Sequence, residues 1–206
     1  MKKERGFLLS LCVSFLLCVA LVPLVLLALT QGDAPTPSAP LLSGPTETLT
    51  ASQFDSLLRA QPLAVTSANY VVQDITYKAL YPDMLQAMVQ NNSQGEITRL
   101  SVAFAAWDAD GQPVAIAGRR DSVFPAYLRV VDYVDISVAP GGTFGEGYGY
   151  PVAEGRGIVS VKAVAVSYET SSGETWVNPY APQWATLYEG VTCSEDMTVE
   201  VPIGDA

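Results

Sequence analysis

Two acidic side chains spaced one residue apart ahead of a glycine, Asp108-Ala-Asp-Gly111, are the nearest approach to a metal site in this chain of 206 residues. Alternating carboxylates before Gly open many calcium loops, because hard cations take oxygen ligands. A twelve-residue loop starting at Asp108 puts Arg119 where the closing bidentate Glu belongs, and Gly111 comes two positions early. The segment therefore reads as a hairpin turn in which Asp tolerates tight dihedrals and Gly supplies a positive φ, and no metal ligand is assigned. Histidine is absent, which removes Ser-His and Cys-His nucleophile pairs and ordinary zinc sites. Asp132, Asp135, Glu146, Glu154 and Glu169 are enough carboxylates for a glycosidase-like pair. Scattered acids on an acidic chain more commonly form solvated surface, so no catalytic residue and no cofactor is assigned.

Aromatic side chains offer binding chemistry instead. Gly141-Gly-Thr-Phe-Gly-Glu-Gly-Tyr-Gly-Tyr-Pro151 interleaves glycine with rings, but no basic residue or helix start follows it, so it is not a phosphate cradle. Thr175-Trp-Val-Asn-Pro-Tyr-Ala-Pro-Gln-Trp184 is the densest aromatic stretch beyond the first 30 residues. Tyr148, Tyr150, Trp176, Tyr180 and Trp184 are the candidate ligand-binding residues, able to stack on a sugar ring or pin a peptide. The competing role is to fold onto the core and close the open end of a sandwich. Arg119-Arg120-Asp121 reads as sheet-edge protection or as a contact for an acidic partner, and Asn91-Asn-Ser93 matches a glycosylation acceptor.

The elements that must hold these residues begin with a charge-free run from Phe7 to Thr30. At about 1.5 Å per residue it is long enough to cross a bilayer as one helix, with Pro23 tolerated as a kink. Lys2, Lys3 and Arg5 against Glu4 leave residues 1–6 at +2 within a chain of −10, so the rest carries −12. The basic end is expected in the cytoplasm and the acidic part outside the cell, as a single-pass membrane protein that contacts the lipid bilayer through residues 7–30. So acidic a surface repels phosphate backbones and anionic headgroups, which excludes nucleic acid as a partner. Cys12 and Cys18 lie in the apolar run, leaving Cys193 without an internal disulfide partner; it is expected to be buried or to link two chains.

Residues 31–52 hold Pro35, Pro37, Pro40 and Pro45 among small polar residues and read as an extended stalk. Residues 53–206 read as one domain. It opens with a short helix over 52–61, capped by Ser52, with Phe54, Leu57 and Leu58 on one face and Pro62 ending it. From Val65 the apolar period becomes alternating. Strands are expected over 70–77, 84–90, 97–107, 130–138 and 158–168, joined by polar turns without a βαβ rhythm, which argues an all-β antiparallel sandwich.

Several short motifs resemble a bacterial extracytoplasmic domain family of unknown function: Tyr81-Pro-Asp-Met-Leu-Gln-Ala, Val89-Gln-Asn-Asn-Ser, Ala106-Trp-Asp-Ala-Asp-Gly, Ala139-Pro-Gly-Gly, Val161-Lys-Ala, Val166-Ser-Tyr-Glu, Thr175-Trp-Val-Asn-Pro-Tyr and Leu187-Tyr-Glu-Gly. The resemblance covers about residues 63–190, and more distantly the domain is similar to FxLYD-type immunoglobulin-like domains. It implies an immunoglobulin-like β-sandwich on the outer face of a membrane, without enzyme activity or cofactor. The tail from Met197 to Ile203 lies beyond it, as an added strand or a loose end. The function expected is a membrane-anchored binding or scaffold domain at the cell envelope, for a protein, a peptide or a wall polymer. An envelope hydrolase using paired carboxylates and a calcium-dependent adhesion module are the alternatives.

Retention of the apolar run, against cleavage after Ala34, is open to direct measurement. In an exporting host the chain should stay in the membrane fraction at full-length mass, whereas a soluble product beginning at Pro35 would overturn the anchor.

Overall fold

In the computed structural model, which describes residues 46–78, 80–119, 124–153, 156–194 and 196–202, one strand is buried on both of its faces. β4, Ile97–Trp107, sends Leu100, Val102, Phe104 and Ala106 into one apolar cluster and Ala103, Ala105 and Trp107 into another. A strand alternates its side chains, so two clusters fed by alternate residues must lie on opposite faces of its sheet. Only the first of these faces is conspicuous in the sequence, because Ala103 and Ala105 look like neutral filler.

β4 pairs antiparallel with β5, Arg129–Tyr133, and with β8, Ser160–Thr170; β9, Thr175–Val177, completes the order β5-β4-β8-β9. A second sheet places β2, Leu63–Val71, beside β3, Met84–Asn91, with two short strands on the far edge of β3. These are β6, Thr143–Phe144, opposite its end and β7, Tyr150–Pro151, opposite its start. Leu63, Leu85, Ala87 and Val89 from this sheet meet Leu100, Val102, Phe104 and Tyr168 from the other. Both sheets are antiparallel and together make the expected all-β architecture.

The outer face of the β4 sheet is covered by two helices and a ribbon. α1, Ala51–Arg59, contributes Phe54; α2, Ala181–Tyr188, contributes Trp184, Leu187 and Tyr188. β1, Thr46–Thr50, pairs antiparallel with β10, Thr198–Pro202, whose Val199 and Val201 face the same cluster. Trp107 is sealed there by an edge-to-face contact with Tyr188 at 5.7 Å, and its Nε1 donates to the Val191 carbonyl at 2.7 Å. All described residues belong to one compact unit spanning 44–206.

Several expectations need correction. The stalk expected over 31–52 does not include Thr46–Thr50, which is a strand of the domain, and residues 31–45 lie outside the described residues. Thr50, not Ser52, caps α1: its hydroxyl accepts from the Gln53 amide at 3.3 Å while Gln53 Oε1 accepts from the Thr50 amide at 2.9 Å. The strand expected over 70–77 ends at Val71. The strand expected over 130–138 ends at Tyr133, and Val138 returns only as a bridge to Ile97. Residues 181–188 form a second helix, and the Met197 tail supplies β10. Among the described residues no helix is long and apolar enough to cross a membrane, and the run 7–30 lies outside them.

The Gly-rich stretch is a strap rather than a cradle. Gly145 has φ 129°, and a Cβ there would collide with the Ala87 carbonyl; Gln86 Nε2 also donates to the Gly145 carbonyl at 2.9 Å. Only glycine lets the chain lie that close to β3 between β6 and β7.

Two measurements test this packing. Phe104→Ala should cost about 3–5 kcal/mol in urea unfolding, since it empties the centre of the larger cluster; a loss under about 1 kcal/mol would show that β4 is not its centre. Burial raises the Tyr133 hydroxyl to about 12 from 10.0. Its contribution is full below pH 10 and disappears as pH rises through the native value, so stability should fall between about pH 10 and 12. Tyr133→Phe should flatten part of that fall.

Candidate functional site

Asp83 is 3% exposed, and its carboxylate gathers three donors. The Gln73 amide donates at 2.8 Å, Lys78 Nζ at 3.0 Å and the Tyr70 hydroxyl at 3.2 Å. Burial raises a carboxyl, but these three outweigh it and hold Asp83 below the usual carboxylate range. The donors come from the end of β2, from the start of the 72–82 loop and from its middle, so one side chain at the loop's far end fixes its path. Within the loop, Asp74 Oδ1 accepts from the Thr76 amide at 2.8 Å and starts a helical turn closed by Tyr77, Lys78, Leu80 and Tyr81 amides.

This ordered loop turns its apolar side chains outward. Ile75 is 83% exposed and Leu80 77%, with Val72, Tyr77 and Tyr81 more than half exposed. Five large apolar residues within ten positions are a patch that ordinary surface composition does not require. The strand expected over 70–77 includes Ile75 and Tyr77, which the structure places in this loop instead. The overlooked signal was Asp74 ahead of a turn, closed by Pro82-Asp83.

A second feature is a cleft of about 130 Å³ between α1, β2 and β8. Leu63, Val164 and Trp184 form its buried inner side, and Asp55, Arg59 and Lys162 line it with charge. Lys162 Nζ donates to Asp55 Oδ2 and to the Tyr188 hydroxyl, both at 3.1 Å. Burial lowers an ammonium, but Tyr188 and Asp55 outweigh it, so Lys162 stays above its ordinary value and charged. The volume is smaller than pockets that enclose whole ligands and suits one side chain or a short stretch of backbone. A roomier groove of about 500 Å³ lies between α2 and β10, against Leu187, Val191, Met197 and Val199.

The five aromatic candidates are divided between the two sides of the β4 sheet. Tyr150 and Trp176 pack against the inter-sheet cluster, Trp176 stacked on Tyr168 at 5.4 Å. Arg129 lies over the Tyr150 ring at 5.5 Å. Tyr148 is 54% exposed and leans on Phe144 at 4.6 Å. Tyr180 and Trp184 belong to the opposite cluster, Tyr180 against Phe54 at 6.4 Å. Trp184, 1% exposed, is core and unavailable for stacking on a ligand from solvent. The single aromatic surface expected from the sequence is not formed by these five residues, because β9 and α2 commit Trp176 and Trp184 to opposite faces of one sheet.

Of the other candidates, Arg120, Asp121 and Glu154 lie outside the described residues. Asp108 Oδ1 accepts from the Asp110 and Gln112 amides at 2.9 Å, and Gly111 has φ 74°, as a hairpin turn requires. Asp132 accepts from the Ser101 hydroxyl at 2.5 Å. Among the described residues no three acidic, cysteine or histidine side chains cluster as metal ligands. The acceptor Asn91 is buried, its amide donating to the Gly95 and Val138 carbonyls at 2.8 and 2.9 Å. Cys193 is half-buried and free, its amide donating to the Gly111 carbonyl at 3.0 Å.

A family model described as Family of unknown function (DUF5780) matches residues 84–191. The chain belongs to this family. The matched stretch runs from the start of β3 to just beyond α2; it includes Lys162 and Trp184 and leaves β1, α1, β2, the 72–82 loop and β10 outside. Among solved structures the chain is similar to a hypothetical protein from Peptoclostridium difficile 630, at TM-score 0.53 and 11% identity, over 65% of this chain and 94% of that one. Likeness at that identity concerns the fold alone. No curated protein matches.

The role of Asp83 is open to test. Asp83→Asn should speed hydrogen exchange of the 73–81 amides at least about tenfold, the weight of one charged hydrogen bond of about 1.5 kcal/mol. In the unmodified protein, protection is full above the ordinary carboxylate value of 3.8 and is lost as pH falls through the depressed native value. Exchange unaffected by both treatments would mean that the loop is ordered by something else.

Proposed function

We propose that this family member is a membrane-anchored, extracytoplasmic binding or scaffold domain that engages a protein of the cell envelope through the 72–82 loop. The observation that carries the reading is the pairing of order with exposure: a buried carboxylate accepts three hydrogen bonds, two of them from a loop that presents five large apolar side chains to solvent. A floppy apolar loop would pay ordering entropy on contact, and a pre-ordered one avoids it. Tyrosines beside aliphatics also make the side-chain mixture favoured at protein contacts.

Under this reading the two facing sheets are an immunoglobulin-like sandwich, distantly of FxLYD type, that serves as a rigid platform. Residues 7–30 anchor it and the proline-rich segment sets its reach. Trp176 and Trp184 act as platform residues, and Tyr148 remains available at the surface. Recognition needs no cofactor, in keeping with a chain without histidine.

The test is cross-linking in intact cells followed by mass spectrometry. Ile75→Ser with Leu80→Ser should remove the captured envelope protein while leaving the melting temperature within about 2 °C, because both side chains are solvent-facing. An identical cross-link pattern in the variant would exclude this loop as the working surface.

A further inference from the structure

β10 has a ladder partner on one edge only. β1 pairs with it from Thr46 opposite Pro202 to Thr50 opposite Thr198, and the Ala51 amide continues the ladder by donating to the Met197 carbonyl at 3.0 Å. The backbone groups of Met197 therefore face β1. Every second residue of a strand turns its N–H and C=O to the same edge, so Val199 and Val201 also face β1, and Thr198 and Glu200 face the opposite way. Among the described residues no strand pairs on that side and no hydrogen bond reaches these outward groups.

That edge opens into the groove of about 500 Å³ between β10 and α2. Thr198, Val199 and Glu200 all line it although their side chains alternate in direction, so the groove follows the edge of the ribbon rather than one of its faces. Its size falls among pockets that enclose a ligand. On the α2 wall, the Gln183 side-chain oxygen is buried and accepts no hydrogen bond from any described residue. An acceptor in that condition is a cost to the fold unless a donor arrives. Glu200 is the one charged residue of the lining, and no cation among the described residues pairs with it, in a chain of net charge −10.

We propose that the outer edge of β10 at Thr198 and Glu200 is a docking site for an extended peptide carrying a basic residue next to an apolar one, added as an antiparallel strand. Alternating amides and carbonyls are satisfied together only by another extended backbone, and the register then prescribes the chemistry of each added residue. The residue opposite Glu200 lies on the outer face, where Lys or Arg supplies the missing countercharge. The next residue stands opposite Val199, shares its inner face and needs an apolar side chain to meet Leu187 and Met197. Its own amide points away from β10, toward the α2 wall and the unfilled Gln183 acceptor. A second copy of the chain fits this edge poorly, since two β10 strands side by side put two uncompensated Glu200 carboxylates on one sheet. This site is separate from the 72–82 loop and does not depend on that loop's role.

The experiment uses the full-length chain in phosphatidylcholine nanodiscs with two probes, acetyl-Lys-Leu-Thr-amide and acetyl-Glu-Leu-Thr-amide, read by amide NMR and hydrogen exchange. The Lys peptide should slow exchange of the Thr198 and Glu200 amides, bind about fivefold more tightly than the Glu peptide, and lose that margin as salt is added. Glu200→Gln should shrink the difference between the peptides to less than about twofold. Gln183→Leu should weaken both peptides alike without lowering the melting temperature of the unliganded protein, because the orphaned oxygen is gone. Thr198→Pro, which removes an outward N–H without touching the β1 ladder, should abolish binding of both. Equal binding of the two peptides by the unmodified protein would overturn the proposal, as would unmoved Thr198 and Glu200 signals at millimolar peptide. Protection of these amides that rises with protein concentration alone would assign the edge to a second copy, and full protection in dilute protein without peptide would assign it to the chain itself; either result overturns the proposal.

Discussion

Everything in this domain is arranged around the double burial of β4. A strand with one wet face needs a single partner layer, but β4 presents Phe104 to one side and Trp107 to the other, and neither can be left in water. The second sheet answers the first demand. The second is met by a collection of short pieces, α1, α2 and the β1–β10 ribbon, none of which is long enough to be stable alone. Their order follows from the Trp107, Tyr188 and Trp184 rings, which meet edge to face at 5.7 and 5.1 Å.

That arrangement explains why chemistry-bearing residues ended up where they did. Tyr180, Trp184 and Tyr188 were drawn inward because the outer face of the β4 sheet had to be covered, and α2 is the lid that covers it. Under the proposed reading, what is left for recognition lies at the margins of the sandwich. One margin is the 72–82 loop, where a buried carboxylate holds an apolar display in place. Another is the small cleft between α1, β2 and β8, where Lys162 meets Asp55.

Legibility in the sequence followed the range of the interactions. Phe54, Leu57 and Leu58 mark a helix because the signal lies within one turn, and Leu100, Val102, Phe104 and Ala106 mark a strand by period alone. Thr46–Thr50 carries a single apolar residue, Leu49, and is extended only because β10 pairs with it from the far end of the chain. It therefore read as stalk. The second helix was nearer to being readable, since Trp184, Leu187 and Tyr188 fall at helical spacing behind Pro182. Their aromatic character drew attention to binding and away from periodicity.

By itself the sequence determined the class of the domain, the family motifs and the absence of histidine chemistry, because these depend on composition, period and short spacings. It also carries the charge-free run 7–30, a property of twenty-four consecutive residues. Only the tertiary structure decided which aromatics are core and which carboxylate is buried. Those are outcomes of how the chain folds back on itself: Asp83 with Lys78 and Gln73 across a folded loop, Lys162 with Asp55 across a separation of 107 residues. Net charge shows the same division. A chain of −10 implies an acidic surface on average, and folding gathers Lys162 and Arg59 beside one acid in a single cleft. Averages are set by composition, and local fields by which side chains the core packing brings together.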